Sequence, residues 1–330
     1  MNPSQLEHLS QLPVLRYFPF ESGKYDVSTP GLSHLLVDSV DREKRLLQID
    51  QSFPHYLQNK VRCRQEHINK YFLEQALDPA CQRLVNQTIV DHLCRAYPQW
   101  FQFEHQTLNC LLSGDQLKLS SKFELQAHPK YLNGLDALAS QIQEDLAVWQ
   151  LQGEQDWLAA LHVCAPNHWA PEEKIGKTFA EVHKDVPGME AQRGNYLAML
   201  KGLIQKPAFC RFIWDLKTSP RLNHHPHHPA DILPENWQFP PFSLAAPELY
   251  VRVERQLLYG LPACNAVLFA IRTYLYKVED LAITGLAGLN QALETMAPEL
   301  IAYKNLENSW ADIQCWLQIL IAQKQAISRI

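Results

Sequence analysis

The chain has no CxxC pair, no apolar run near the ~18 residues of a membrane span and no excess of basic charge, and each absence removes a class of function. Its eight cysteines, Cys63, Cys81, Cys94, Cys110, Cys164, Cys210, Cys264 and Cys315, are scattered without paired metal-ligand spacing, so they read as reduced, mostly buried thiols. A net charge of -5 over 330 residues leaves no basic footprint, which argues against nucleic acid or an anionic membrane as partner. The N-terminus "MNPSQLEHLSQLPVLRYFPF" lacks a basic region followed by an apolar core, so a cytoplasmic protein is expected. No GxGxxG, P-loop, HExxH or GxSxG pattern occurs, which removes the common nucleotide-binding and hydrolase readings. What is present is 46% hydrophobic and 20% charged, the composition of a globular chain long enough to bury a large core without staples.

Residues 1–142 read as an irregular arm followed by a helical wrap: after residue 40, apolar residues recur at three- and four-residue intervals, broken at Pro54 and Pro79. "HQTLNCLLSGDQLKLSS" predicts a hairpin turning at Ser113, Gly114 and Asp115. From residue 143 the period changes. "DLAVWQL" and "DWLAALHVCAP" are strand-length runs around a turn at Gln152–Gln155, and helix-like pieces follow at 171–184 and 189–205. "FCRFIWDLK", "LYVRVERQLLYG" and "NAVLFAIRTYLY" then read as strands, and helical spacing returns from 277. The order strand, strand, helices, strand, strand, strand predicts an α+β core over 143–305, a PAS-like five-stranded antiparallel sheet with helices on one face and an N-terminal helical wrap. Residues 306–330 form a C-terminal helix outside that core.

Three patterns carry candidate chemistry. Pro171, Glu172 and Glu173 mark a helix start and Pro187 a stop, so Ile175, Phe179 and Val182 share an apolar face with His183 at its edge. An inward imidazole there either bonds protein groups as a core residue or gives one nitrogen to a metal. The run "LNHHPHHPADILP" holds His224, His225, His227 and His228, a type of tract that can bind zinc or copper, but its interleaved prolines favour an exposed loop between strands. In "YVRVERQLL", Arg252, Glu254 and Gln256 alternate onto one face, as do Arg272, Tyr274 and Tyr276 in "FAIRTYLY". Pairing about the intervening loop would bring Arg252 near Arg272, either on a solvated face or, facing inward, as guanidinium groups suited to carboxylates.

"APNHWAPEEKIGKTFAEVHKDVPG", "RFIWDLKTSPRL", "VRVERQLLYGLPACNAVLFAIRTYL" and "AYKNL" resemble, in order and spacing, the haem-dependent oxidative N-demethylase alpha-subunit family, from roughly residue 40 to residue 305. The resemblance implies a haem-binding PAS-type domain that works as an oxidoreductase. The reaction it implies is oxidative demethylation of a small secondary amine such as dimethylamine, with O2 and electrons from NADPH. FMN, a 2Fe-2S cluster and tetrahydrofolate would sit on partner subunits. On this reading His183 is the axial ligand of the haem iron, and Arg252 and Arg272, then Arg255, Lys174 and Lys177, are candidates for the haem propionates. Glu254 would be the carboxylate that receives a protonated amine. The sequence departs from the family at Lys184-Asp185, where Ala-Pro is common, and at Ile213, where Asn stands before the tryptophan. The alternative is a non-catalytic protein that holds haem or another small ligand for sensing or storage.

Overall fold

The computed structural model describes residues 9–25, 32–187, 194–206 and 208–328. Parts of the expected arm (1–8 and 26–31) and of the expected second helix (189–193) lie outside the described residues. In chain order come strand β1 (Ser33–His34), helix α1 (Phe53–His67), β2 (Phe72–Glu74), α2 (Pro79–Ala96), the three-stranded meander β3 (Phe101–Glu104), β4 (Thr107–Cys110) and β5 (Asp115–Lys118), and α3 (Gly134–Ala139). The hairpin expected at Ser113–Asp115 joins β4 to β5. Pro79 opens α2 rather than interrupting it, because Asp78 caps the helix by accepting from Ala80 N at 2.8 Å and Cys81 N at 3.0 Å.

The central sheet uses β6 (Asp145–Gln152), β7 (Gln155–His162), β8 (Ala208–Lys217), β9 (Tyr250–Leu261) and β10 (Ala266–Lys277), with short helices α4 (Phe179–Val182), α5 (Tyr196–Gln205) and α6 (Pro234–Trp237) in the connections. Helices α7 (Ile283–Glu294), α8 (Pro298–Tyr303) and α9 (Trp310–Ile327) end the chain. All five strands expected over 143–276 form and pair antiparallel, so the fold is α+β. The sheet is nonetheless seven-stranded, in the order β1-β8-β9-β10-β6-β7-β2, because two short N-terminal segments add themselves to its edges.

Residues directly opposite each other in a ladder share a face. The register therefore puts Trp149, Leu158, Phe209, Arg211, Asp215, Arg252, Glu254, Gln256, Leu258 and Phe269 on one face. That face is covered by α4 and α5 through Phe179, Tyr196, Leu200, Leu203 and Ile204. Helix α5 ends close against β9 at Gly260, where an added Cβ would stand 2.5 Å from the carbonyl oxygens of Leu203, Ile204 and Lys206. The other face, with Leu146, Val148, Leu257, Leu268 and Ala270, packs on the N-terminal helices, and Trp214, Val251, Val253 and Tyr274 pack on α7 and α9. Among the described residues no helix is long and apolar enough to cross a membrane.

The helix expected over 171–184 is two pieces. Pro171–Glu173 form one 3-10 turn, Gly176 adopts φ 75°, and a new helix begins after Thr178. Thr178 and Glu181 make a reciprocal capping box, which nucleates α4 and sets its last turn at His183.

Candidate functional site

His183 is the C-cap of α4, and its half-buried ring lies over the helix-covered face. Its Nδ1 is 2.8 Å from the carbonyl oxygen of Phe179, which also accepts from the His183 backbone N–H at 3.2 Å. A carbonyl only accepts, so Nδ1 carries the proton and Nε2 keeps its lone pair, with no hydrogen-bond partner among the described residues. Burial pushes the imidazole down to about 4, against the opposing effect of the Phe179 bond and with Arg211 and Lys174 adding to the shift. The ring is neutral at pH 7. It stacks on Phe179 with centroids 4.1 Å apart and faces Trp149 at 6.4 Å. Trp149 and Tyr196 close on Phe179 at 5.3 and 5.2 Å, so the imidazole stands beside an aromatic wall.

Beside this wall runs a polar row that alternation builds from β8 and β9. Arg211 Nε donates to Gln256 Oε1 at 2.7 Å, Gln256 Nε2 to Glu254 Oε2 at 3.1 Å, and Arg252 Nε to Glu254 Oε1 at 3.3 Å. Burial pulls Arg211 below its usual value, with Glu254 partly restoring it. Arg252 also donates to the carbonyls of Leu222 and Ala165, at 2.9 and 2.5 Å, and to Thr273 Oγ1 at 3.1 Å. Ile213 lies opposite Glu254 on this face. Lys174 Nζ reaches the Val182 carbonyl at 3.3 Å, and burial lowers its pKa, whereas Lys177 is exposed.

The expected meeting of Arg252 and Arg272 does not occur. The β9–β10 register sets Arg272 opposite Arg255 and Arg252 opposite Leu275, so Arg255 and Arg272 point to the far face. There Arg272 donates to Gln48 O at 2.9 Å, Asp50 Oδ2 at 2.9 Å and Ser52 Oγ at 3.2 Å, and lies 4.3 Å above the Tyr56 ring. Arg255 donates to the carbonyls of Glu43 and Arg45 at 3.2 and 2.8 Å. Both fasten the N-terminal wrap to the sheet. The buried His162 is on that face too, with Nε2 3.4 Å from Asp136 Oδ1.

The histidine-rich run is also corrected. His224 and His225 are buried rather than exposed, because His224 N bonds Pro166 O and His224 O receives His168 N, each at 3.0 Å. That backbone pairing draws the run onto the 166–168 segment.

The signal missed in the sequence is Arg211, which the alternation of "FCRFIWDLK" already aligns with Asp215 on the face of Glu254. Clefts of about 710 and 560 Å3, lined around Gln75, Trp157 and Cys264 and around His92, Arg95 and Tyr259, do not include His183. The chemistry of the donor set, a neutral imidazole whose second nitrogen has no partner among the described residues, beside aromatic rings and two cations, fits a haem with anionic propionates. Residues 39–314 match the family described as haem-dependent oxidative N-demethylase, alpha subunit-like, and the chain belongs to that family.

Proposed function

We propose that this member of the haem-dependent N-demethylase alpha-subunit-like family binds haem beside α4, with His183 Nε2 as the axial ligand, and oxidatively demethylates a small secondary amine such as dimethylamine. The observation that carries the reading is the His183 ring itself, oriented by the Phe179 carbonyl with its other nitrogen unprotonated and unpartnered among the described residues. The antiparallel core β6–β10, with α4 and α5 over one face, supports the PAS-like description of this part of the fold.

When bound, haem supplies the oxygen and electron chemistry that no side chain offers. The chain's own residues bind and orient. Arg211 and Lys174, whose charges act on His183, compensate the propionates, and Arg252 acts one step removed by fixing Glu254. Arg255 and Arg272 secure the wall behind the sheet, and Lys177 stays at the rim. Glu254, nearly buried and already oriented by Arg252 and Gln256, offers carboxylate oxygens to a protonated amine, whose charge needs a partner once water is excluded. Electrons come from NADPH through partner subunits that carry FMN and a 2Fe-2S cluster, and tetrahydrofolate on a partner takes the one-carbon product.

The test is a haem titration of the purified chain followed by turnover with a flavin and iron–sulfur reductase, O2 and dimethylamine. Haem binding with amine-dependent NADPH consumption and formaldehyde or methylene-folate formation is expected. Haem binding with no amine response under any electron supply would leave the sensing or storage reading instead.

A further inference from the structure

We infer that Glu172, His225 and His227 form a binding site for a divalent transition metal of the zinc type, separate from His183 and its haem. One ligand atom from each of the three lies within 4.8 Å of the others. His225 Nε2 stands 3.0 Å from Glu172 Oε2, and His227 Nδ1 3.6 Å from Glu172 Oε1. Ligand atoms held at zinc bond lengths in a tetrahedron are about 3.3 Å apart, so both separations need only small side-chain adjustments.

The surroundings are built for coordination. His225 is 1% exposed, and its position is fixed by its N–H on Asn223 Oδ1 at 2.9 Å and its carbonyl under Trp237 Nε1 at 2.7 Å. Its Nδ1 lies 3.2 Å from the His227 carbonyl and 3.1 Å from the His227 N–H. The ring can therefore take either neutral tautomer. With Nε2 protonated it donates to Glu172. With Nδ1 protonated it donates to a backbone carbonyl and frees Nε2 for a metal, the outer-shell arrangement usual for ligating histidines. His227 is exposed, which gives an ion a route in, and Lys70 occupies the His227 carbonyl at 3.1 Å rather than a ligand atom. Two imidazoles and one carboxylate select zinc, copper, cobalt or nickel over calcium or magnesium, and three protein donors leave a position for water or an external ligand. The ion would tie the β8–β9 connection to the 171–173 turn, at the head of the segment that ends in His183.

The probe is zinc itself, added to chelator-treated full-length protein in its haem-loaded form, with zinc and iron counted separately by elemental analysis after gel filtration. About one zinc per chain is expected, with a rise in melting temperature. Glu172→Gln and His227→Ala, both at positions with solvent access, should each weaken zinc binding by more than about ten-fold. His228→Ala should not, since His228 lies outside the cluster with its Nδ1 on the Pro229 carbonyl. Less than half a zinc per chain in the unaltered protein would overturn the inference. So would a full equivalent that persists in the Glu172→Gln, His227→Ala double variant.

Discussion

Replacing Arg272 with Met tests the assignment of faces. Arg272 is fully buried and makes three hydrogen bonds to Gln48, Asp50 and Ser52 while stacking on Tyr56. Met fills most of the stem volume but leaves the Asp50 carboxylate and the Gln48 carbonyl without their cation. Breaking a buried ion pair from one side costs about 3–5 kcal/mol, because the remaining charge stays desolvated. At about 2 °C per kcal/mol for a chain of this size, the melting temperature should fall by about 6–10 °C. The assay is a thermal melt at saturating haem, paired with a haem titration at a temperature where the variant is folded. Haem affinity and spectrum should match the unaltered protein, since Arg272 stands behind the sheet. A tenfold loss of haem affinity with an unchanged melt would refute the reasoning and return Arg272 to the propionates.

Changing Glu254 to Gln should weaken the amine-induced spectral change on the holo protein by more than about ten-fold while haem content stays constant; haem loss with unaltered amine response would mark the residue as structural. Thr178→Ala removes one half of the capping box, so α4 loses about 1 kcal/mol and haem dissociation should quicken without a change in ligation spectrum. His183 also sets a pH dependence in the haem-free protein. Its folded pKa is depressed from 6.5 to about 4, so between these values the unfolded chain takes the proton first and stability falls as pH drops. Denaturant melts of the unaltered protein and His183→Gln should therefore converge toward the variant's side from pH 7 to pH 4, and parallel pH curves would contradict it.

The five strands were legible because each alternates or runs apolar over eight or more residues. The edge strands Ser33–His34 and Phe72–Glu74 were not, since two or three residues carry no period and their partners lie far along the chain. Register was the costlier omission. Leu261 pairs with Ala266 across the Pro262–Cys264 turn and Asn265, and an odd offset of that kind sends Arg252 and Arg272 to opposite faces. The histidine run misled through composition: its burial depends on pairing with Asn167, a contact that no local pattern announces. His183 could be singled out because Phe179 and Pro187 bracket it, yet the capping box at Thr178 and Glu181, plain in the sequence, locates its helix better than Pro171 does.

The central claim is that His183 binds the haem iron, and the absorption and electron paramagnetic resonance spectra of His183→Ala test it most directly. The Phe179 bond and the stacked Phe179 ring fix the orientation of this imidazole, so on that claim the variant should lose haem or show a different ligation state while its circular dichroism is unchanged. Added imidazole should partly restore the original spectrum by filling the space left behind. A variant that binds haem with the same affinity and the same spectrum as the unaltered protein would contradict the account.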